Sequence, residues 1–116
     1  MTEFINPYLK YLWAGYRAAV GDTNTFVGIK VLVSGNVPIA AGLSSSSSLV
    51  VCSGIMSLFA NNQSPSIDKF SFVDKLIVCE RQLGTACGGM DQSISLMGDK
   101  DKALYIEFNP LKTEPV

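Results

Sequence analysis

Pro38-Ile39-Ala40-Ala41-Gly42-Leu43-Ser44-Ser45-Ser46-Ser47-Ser48-Leu49-Val50-Val51-Cys52 runs from a proline loop, through a glycine and five serines, straight into an apolar segment. Proline lacks the N–H a strand ladder needs, so Val37 to Gly42 reads as a loop. Ser44 to Ala60 is apolar nearly all round, the pattern of a buried helix. A loop emptying into such a helix leaves unpaired backbone N–H groups at the positive end of its dipole, where a phosphate is favoured. Gly42 permits close backbone approach, and serine hydroxyls donate to phosphate oxygens or ligate Mg²⁺. The plain alternative is a polar linker or an over-supplied N-cap. A linker would not run directly into Leu49-Val50-Val51-Cys52, which favours the anion site. The segment lacks Gly-Lys-Ser/Thr, so it is not a Walker A loop.

Upstream, Asn6-Pro7 has the form of an N-cap followed by a first-turn proline. Leu9, Leu12, Trp13, Tyr16 and Val20 recur at three- and four-residue steps, which predicts one inward face of a helix ending at Gly21. From Phe26 to Ser34, Val27, Ile29, Val31 and Val33 alternate with Gly28, Lys30, Leu32 and Ser34, the period of a strand. Downstream, Asn61 to Pro65 breaks the serine-led helix. A second helix is expected from about Ser66 to Leu83, with Ile67, Phe70, Val73, Leu76 and Ile77 inward and Gly84 at its end. Cys87-Gly88-Gly89 then forms a tight loop, Asp91 to Met97 a short helix, and Leu104 to Phe108 a last strand. Two strands are too few for a complete sheet, so the pattern is α/β or α+β and part of a larger domain.

Composition narrows the chemistry. The chain has 116 residues, which makes one domain at most, and 47% are hydrophobic against 16% charged. A net charge of −1 provides no electrostatic footprint for nucleic acid or an anionic membrane. Histidine is absent, which excludes a Ser-His-Asp or Cys-His nucleophile and any His-containing zinc site. The three cysteines, Cys52, Cys79 and Cys87, form no CxxC pair, so reduced thiols in a cytoplasmic protein are expected. Met1-Thr2-Glu3-Phe4 has no basic signal-peptide start, and Leu49 to Ala60 is too short to cross a bilayer.

Two carboxylates stand out. Asp91 follows the glycine turn, where it is either an N-cap or a positioned general base. Glu80 continues Val73, Leu76 and Ile77 onto the buried face, where a carboxylate needs a partner: Mg²⁺, or a salt bridge to Arg or Lys. Cys87 has no histidine to activate it as a nucleophile. Trp13 and the tyrosines fit a core or an interface better than a ligand platform.

Pro38 to Ser46 resembles the phosphate-binding motif of the GHMP kinases. Glu80-Arg81, Gly84 and Gly88-Gly89-Met90-Asp91-Gln92-Ser93-Ile94-Ser95 narrow the resemblance to the galactokinase branch, in a form similar to N-acetylgalactosamine kinase and the fungal galactokinases. Ile106-Glu107-Phe108-Asn109-Pro110-Leu111 resembles the strand that follows. The resemblance implies an α+β fold of the ribosomal protein S5 domain 2-like type, with a mixed sheet packed by helices. Residues 1–116 would be a single partial domain, the central part of the amino-terminal, ATP-binding domain. It implies ATP-dependent phosphorylation of the anomeric hydroxyl of galactose or N-acetylgalactosamine, with ATP and Mg²⁺ as cofactors.

By the same resemblance, Ala40, Ala41, Gly42, Leu43, Ser44, Ser45, Ser46, Ser47, Ser48 and Leu49 cradle the triphosphate. Ser46 and Glu80 hold Mg²⁺, Asp91 is the catalytic carboxylate that accepts or orients the sugar's hydroxyl proton, and Gly88 touches the sugar through its backbone. Phosphoryl transfer needs positioning and charge neutralisation and no histidine, so the composition agrees. The family's amino-terminal sugar-binding motif and carboxy-terminal glycine-rich motif are both missing. That leaves two alternatives beside the kinase: a non-catalytic sugar and ATP sensor, in which the serine motif is typically damaged, and an inactive truncated fragment. The serine run here is intact.

Overall fold

The computed structural model describes residues 8–21, 28–38, 42, 44–61, 68–84 and 87–116. Their elements, in order, are helices α1 (Leu9–Val20), α2 (Ser45–Ala60), α3 (Lys69–Arg81) and α4 (Met90–Met97), then strands β1 (Leu104–Glu107) and β2 (Lys112–Pro115). The Asn6-Pro7 start, the Asn62 to Pro65 break, and Ser66 and Ile67 lie outside the described residues.

Helix α1 buries a different face from the one its large residues suggest. Ala14, Gly15 and Ala18 point inward, while Leu9 and Trp13 are exposed. The cause is the closeness of α2. A methyl group at Gly15 would sit 2.6 Å from the Gly54 nitrogen and 2.7 Å from Ser53 Cβ, and would also strike the Val50 carbonyl. Only small side chains fit such a crossing, so the bulky ones are turned aside. Ser53 Oγ donates to the Leu12 carbonyl at 2.6 Å and ties the two helices. Trp13 and Tyr16 stack on one another instead, with ring centroids 6.0 Å apart. Gly21 closes α1 with φ 63° and donates its N–H to the Arg17 carbonyl at 2.8 Å.

Helix α2 is not buried all round. Val50, Val51, Gly54 and Leu58 face the core together with Ser47, Ser53 and Ser57, whereas Cys52 and Phe59 are exposed. Of these serines, Ser57 bonds within the helix, its Oγ donating to the Ser53 carbonyl at 2.7 Å, whereas Ser53 bonds across to α1.

Helix α3 begins at Asp68, whose carboxylate accepts the Phe70 N–H at 3.1 Å and so satisfies one of the first-turn donors. Its inner face is Phe72, Val73, Leu76, Ile77 and Glu80. Phe70, expected inside, lies off this stripe and is exposed. The shared core is Ala14, Ala18, Val50, Val51, Leu58, Phe72 and Leu76.

The alternating segment at 28–34 joins no ladder, and Leu32 is 95% exposed. A strand requires a partner's N–H and C=O groups, and among the described residues only β1 and β2 pair. Their antiparallel register sets Leu104 against Pro115 and Glu107 against Lys112. Strand β2 was invisible in the sequence, because Lys112-Thr113-Glu114-Pro115 has no apolar alternation. Four helices and this antiparallel pair make the fold α+β; the mixed sheet implied by resemblance is represented, among the described residues, by the pair alone. None of the cysteines is in a disulfide, and no helix of the described residues is long and apolar enough to cross a membrane.

Candidate active site

Three helices bring their chemistry to one place because each presents a polar side chain inward near an end. Helix α2 starts from Ser44, held left-handed at φ 58° and ψ 44°, with no capping bond from its side chain. Its carbonyl accepts the Ser48 N–H at 3.0 Å, the first helical bond. The preceding N–H groups therefore have no helical carbonyl to bond. Gly42 has φ +73° with open space around it. Ala40, Ala41 and Leu43 lie outside the described residues.

The serine run is divided by the helical period. Ser47 turns inward and is buried. Ser44, Ser45, Ser46 and Ser48 line a cavity of about 860 Å³, together with Tyr11 and Val31. That cavity, walled by α1 and the 31–37 segment, was not anticipated from the sequence.

Glu80 is 0% exposed at the end of α3. Ser47 Oγ donates to its Oε2 at 3.0 Å, and Gln92 Nε2 donates to its Oε1 at 3.0 Å. Among the described residues no lysine or arginine pairs with it; the ion pair found there is Lys102 with Asp99. The salt-bridge reading of Glu80 is thus replaced by a carboxylate held by two neutral donors. Burial pushes its proton affinity up, the Ser47 and Gln92 hydrogen bonds pull it down, and the Asp91 charge raises it further.

Helix α4 is set by Gly89, which adopts φ 100° as its N-cap. A side chain there would sit 2.6 Å from Ile77 Cδ1 and 3.1 Å from Phe108 Cε1. Asp91 is consequently not the cap. It stands in the first turn, half-buried. Gly88 is exposed, with nothing within 4 Å of where a side chain would start. Just before it, the Cys87 carbonyl accepts from Arg81 Nε at 2.9 Å. Ser47, expected among the phosphate-cradling residues, turns to Glu80 in this structure, while Gln92 and Arg81 were missed as site residues. The sole signal in the sequence was Gln92's place beside Asp91.

A family model described as GHMP kinases N terminal domain matches residues 8–99. The chain belongs to that family. Within it, this GHMP kinase domain is 39% identical over 107 residues to the galactokinase of Dictyostelium discoideum, covering 91% of this chain and 21% of that protein. It is 43% identical over 109 residues to the galactokinase of Candida albicans, covering 84% of this chain and 21% of that one. The galactokinase of Pasteurella multocida is 35% identical over 122 residues, covering 99% of this chain and 31% of that protein. The chain thus spans about a fifth of the length of the first two relatives.

Proposed function

We propose that the protein containing this GHMP kinase domain is an ATP-dependent sugar 1-kinase that phosphorylates the anomeric hydroxyl of galactose or N-acetylgalactosamine. The observation that carries the reading is the convergence of the α2 start, the buried Glu80 and the first turn of α4 with Asp91. Similarity to proteins named galactokinase supports the substrate class.

The Ala40 to Leu49 segment holds the phosphates, through first-turn N–H groups and the Ser44, Ser45, Ser46 and Ser48 hydroxyls that line the adjoining cavity. That cavity has room for the nucleoside. Mg²⁺ fits the donor set: Glu80 is a fully buried carboxylate matched only by neutral donors, and hard oxygen ligands are what the ion takes. Ser46 and Glu80 would hold it. When bound, it neutralises charge on the transferring phosphate. Asp91 orients the sugar's 1-hydroxyl and accepts its proton, and the open Gly88 backbone meets the sugar. Three cysteines outside any disulfide suit the cytoplasm, which belongs to the same proposal.

The test is ADP release by the intact protein with Mg-ATP and each sugar in turn. Release that depends on galactose or N-acetylgalactosamine is expected. Sugar binding without ADP release would replace the kinase with a sensor.

A further inference from the structure

Gln92 is a long polar side chain with no exposure at all. Its Nε2 donates to Glu80 Oε1 at 3.0 Å and lies 3.5 Å from both Ser47 Oγ and Cys87 Sγ. One nitrogen therefore meets groups from α2, α3 and the glycine loop. Its Oε1, by contrast, is buried with no hydrogen-bond partner. An orphaned acceptor costs stability, and an apolar side chain of the same shape would avoid that cost. Gln92 is not explained as a stability device. What it contributes is the grip of its nitrogen on Glu80.

That grip has a consequence for its neighbour. Gln92 and Asp91 are adjacent in the first turn of α4. Adjacent helical residues point in different directions, set by the roll of the helix. Locking Gln92 inward on Glu80 fixes that roll, and with it the direction in which Asp91 leaves the helix. Ser93 reinforces the turn by donating its Oγ to the Gly89 carbonyl at 2.7 Å.

We propose that Gln92 is a positioning residue of the phosphoryl-transfer site, whose Nε2 bond to Glu80 holds Glu80 on α3 and Asp91 on α4 in one relative geometry. The proposal rests on the kinase function argued above. It assigns Gln92 no contact with either substrate.

The experiment compares Gln92→Met with the parent in the intact protein, alone and in a Glu80→Met background, which has no oxygen for the Gln92 amide to grip. Methionine keeps the length and removes both the donor and the orphaned acceptor. The expected result is a kcat lower by roughly 10- to 100-fold, the usual effect of losing an outer-shell hydrogen bond, with KM for ATP within about threefold because the phosphate loop is untouched. The melting temperature should hold or rise. In the Glu80→Met background the same change should cost little more, since the oxygen through which Gln92 acts is already gone. Gln92→Asn keeps the amide but falls short of Glu80, so it must show the same loss in kcat, and it decides the matter if the methionine variant does not fold. A kcat within twofold of an active parent would overturn the positioning role alone. So would an undiminished loss in the Glu80→Met background. A parent that phosphorylates no sugar would overturn the kinase function, and this role with it.

Discussion

Ser47 Oγ donates to Glu80 Oε2 across 3.0 Å, joining the first turn of α2 to the last turn of α3 in a place closed to water. The bond leaves the carboxylate buried with neutral partners alone. Glu80 is therefore a buried carboxylate with no cationic partner among the described residues, and the first prediction follows from it.

Burial raises the Glu80 pKa above its ordinary 4.5, outweighing the two hydrogen bonds. A raised folded-state value means that the protonated form is favoured by folding. Its stabilising contribution is complete below about 4.5 and is lost as the pH rises through the folded-state value. Glu80→Gln is neutral throughout, and the Ser47 hydroxyl can turn to accept from the new amide. The melting temperature of Glu80→Gln relative to the parent should therefore climb as the pH is raised from 4 toward 8. Thermal unfolding across that range checks it, and parallel curves would contradict it.

Asp91→Asn keeps the shape of a side chain in the first turn of α4 and removes its charge. In the intact protein kcat should fall by roughly two to four orders of magnitude, the scale of a positioned acid–base group. Affinity for ATP should change little. Steady-state kinetics with the preferred sugar decide the point; near-normal turnover would remove Asp91 from the chemistry.

Neighbouring serines should behave differently. Ser46 lines the cavity, whereas Ser47 is buried against Glu80. Ser46→Ala removes an oxygen ligand and should raise the Mg²⁺ concentration needed for half-maximal rate, with little change in melting temperature. Ser47→Ala leaves Glu80 with one donor fewer and should lower stability by about 1–3 kcal/mol. Mg²⁺ titrations and unfolding curves of the two variants separate the roles, and an unchanged Mg²⁺ requirement in Ser46→Ala would argue against it as a ligand.

Gly89→Ala places a methyl group where φ is +100° and Ile77 Cδ1 is 2.6 Å away. Left-handed backbone and overpacking each cost about 1–3 kcal/mol. The variant should unfold at markedly lower denaturant concentration, and α4 should lose amide-exchange protection before α1. Full stability would mean that the turn before Asp91 is looser than its geometry indicates.

The sequence by itself determined what depends on neighbours along the chain. The serine start of α2 was legible because a glycine loop runs straight into an apolar segment. The inward placement of Glu80 followed from its helical step after Val73, Leu76 and Ile77, and the short helix carrying Asp91 from the glycines before it. Tertiary structure alone decided what depends on which elements meet. Helix α1 buries Ala14, Gly15 and Ala18 rather than its large residues because the backbone of α2 approaches too closely for them. The 28–34 segment alternates as a strand should, yet pairs with none of the described residues, while the unpatterned Lys112–Pro115 becomes β2 because β1 offers it a ladder. Hydrogen bonds among Ser47, Glu80 and Gln92 span up to 45 positions. Hydrophobic period specifies which face of a helix turns inward, but the partner waiting there is chosen by how the helices pack.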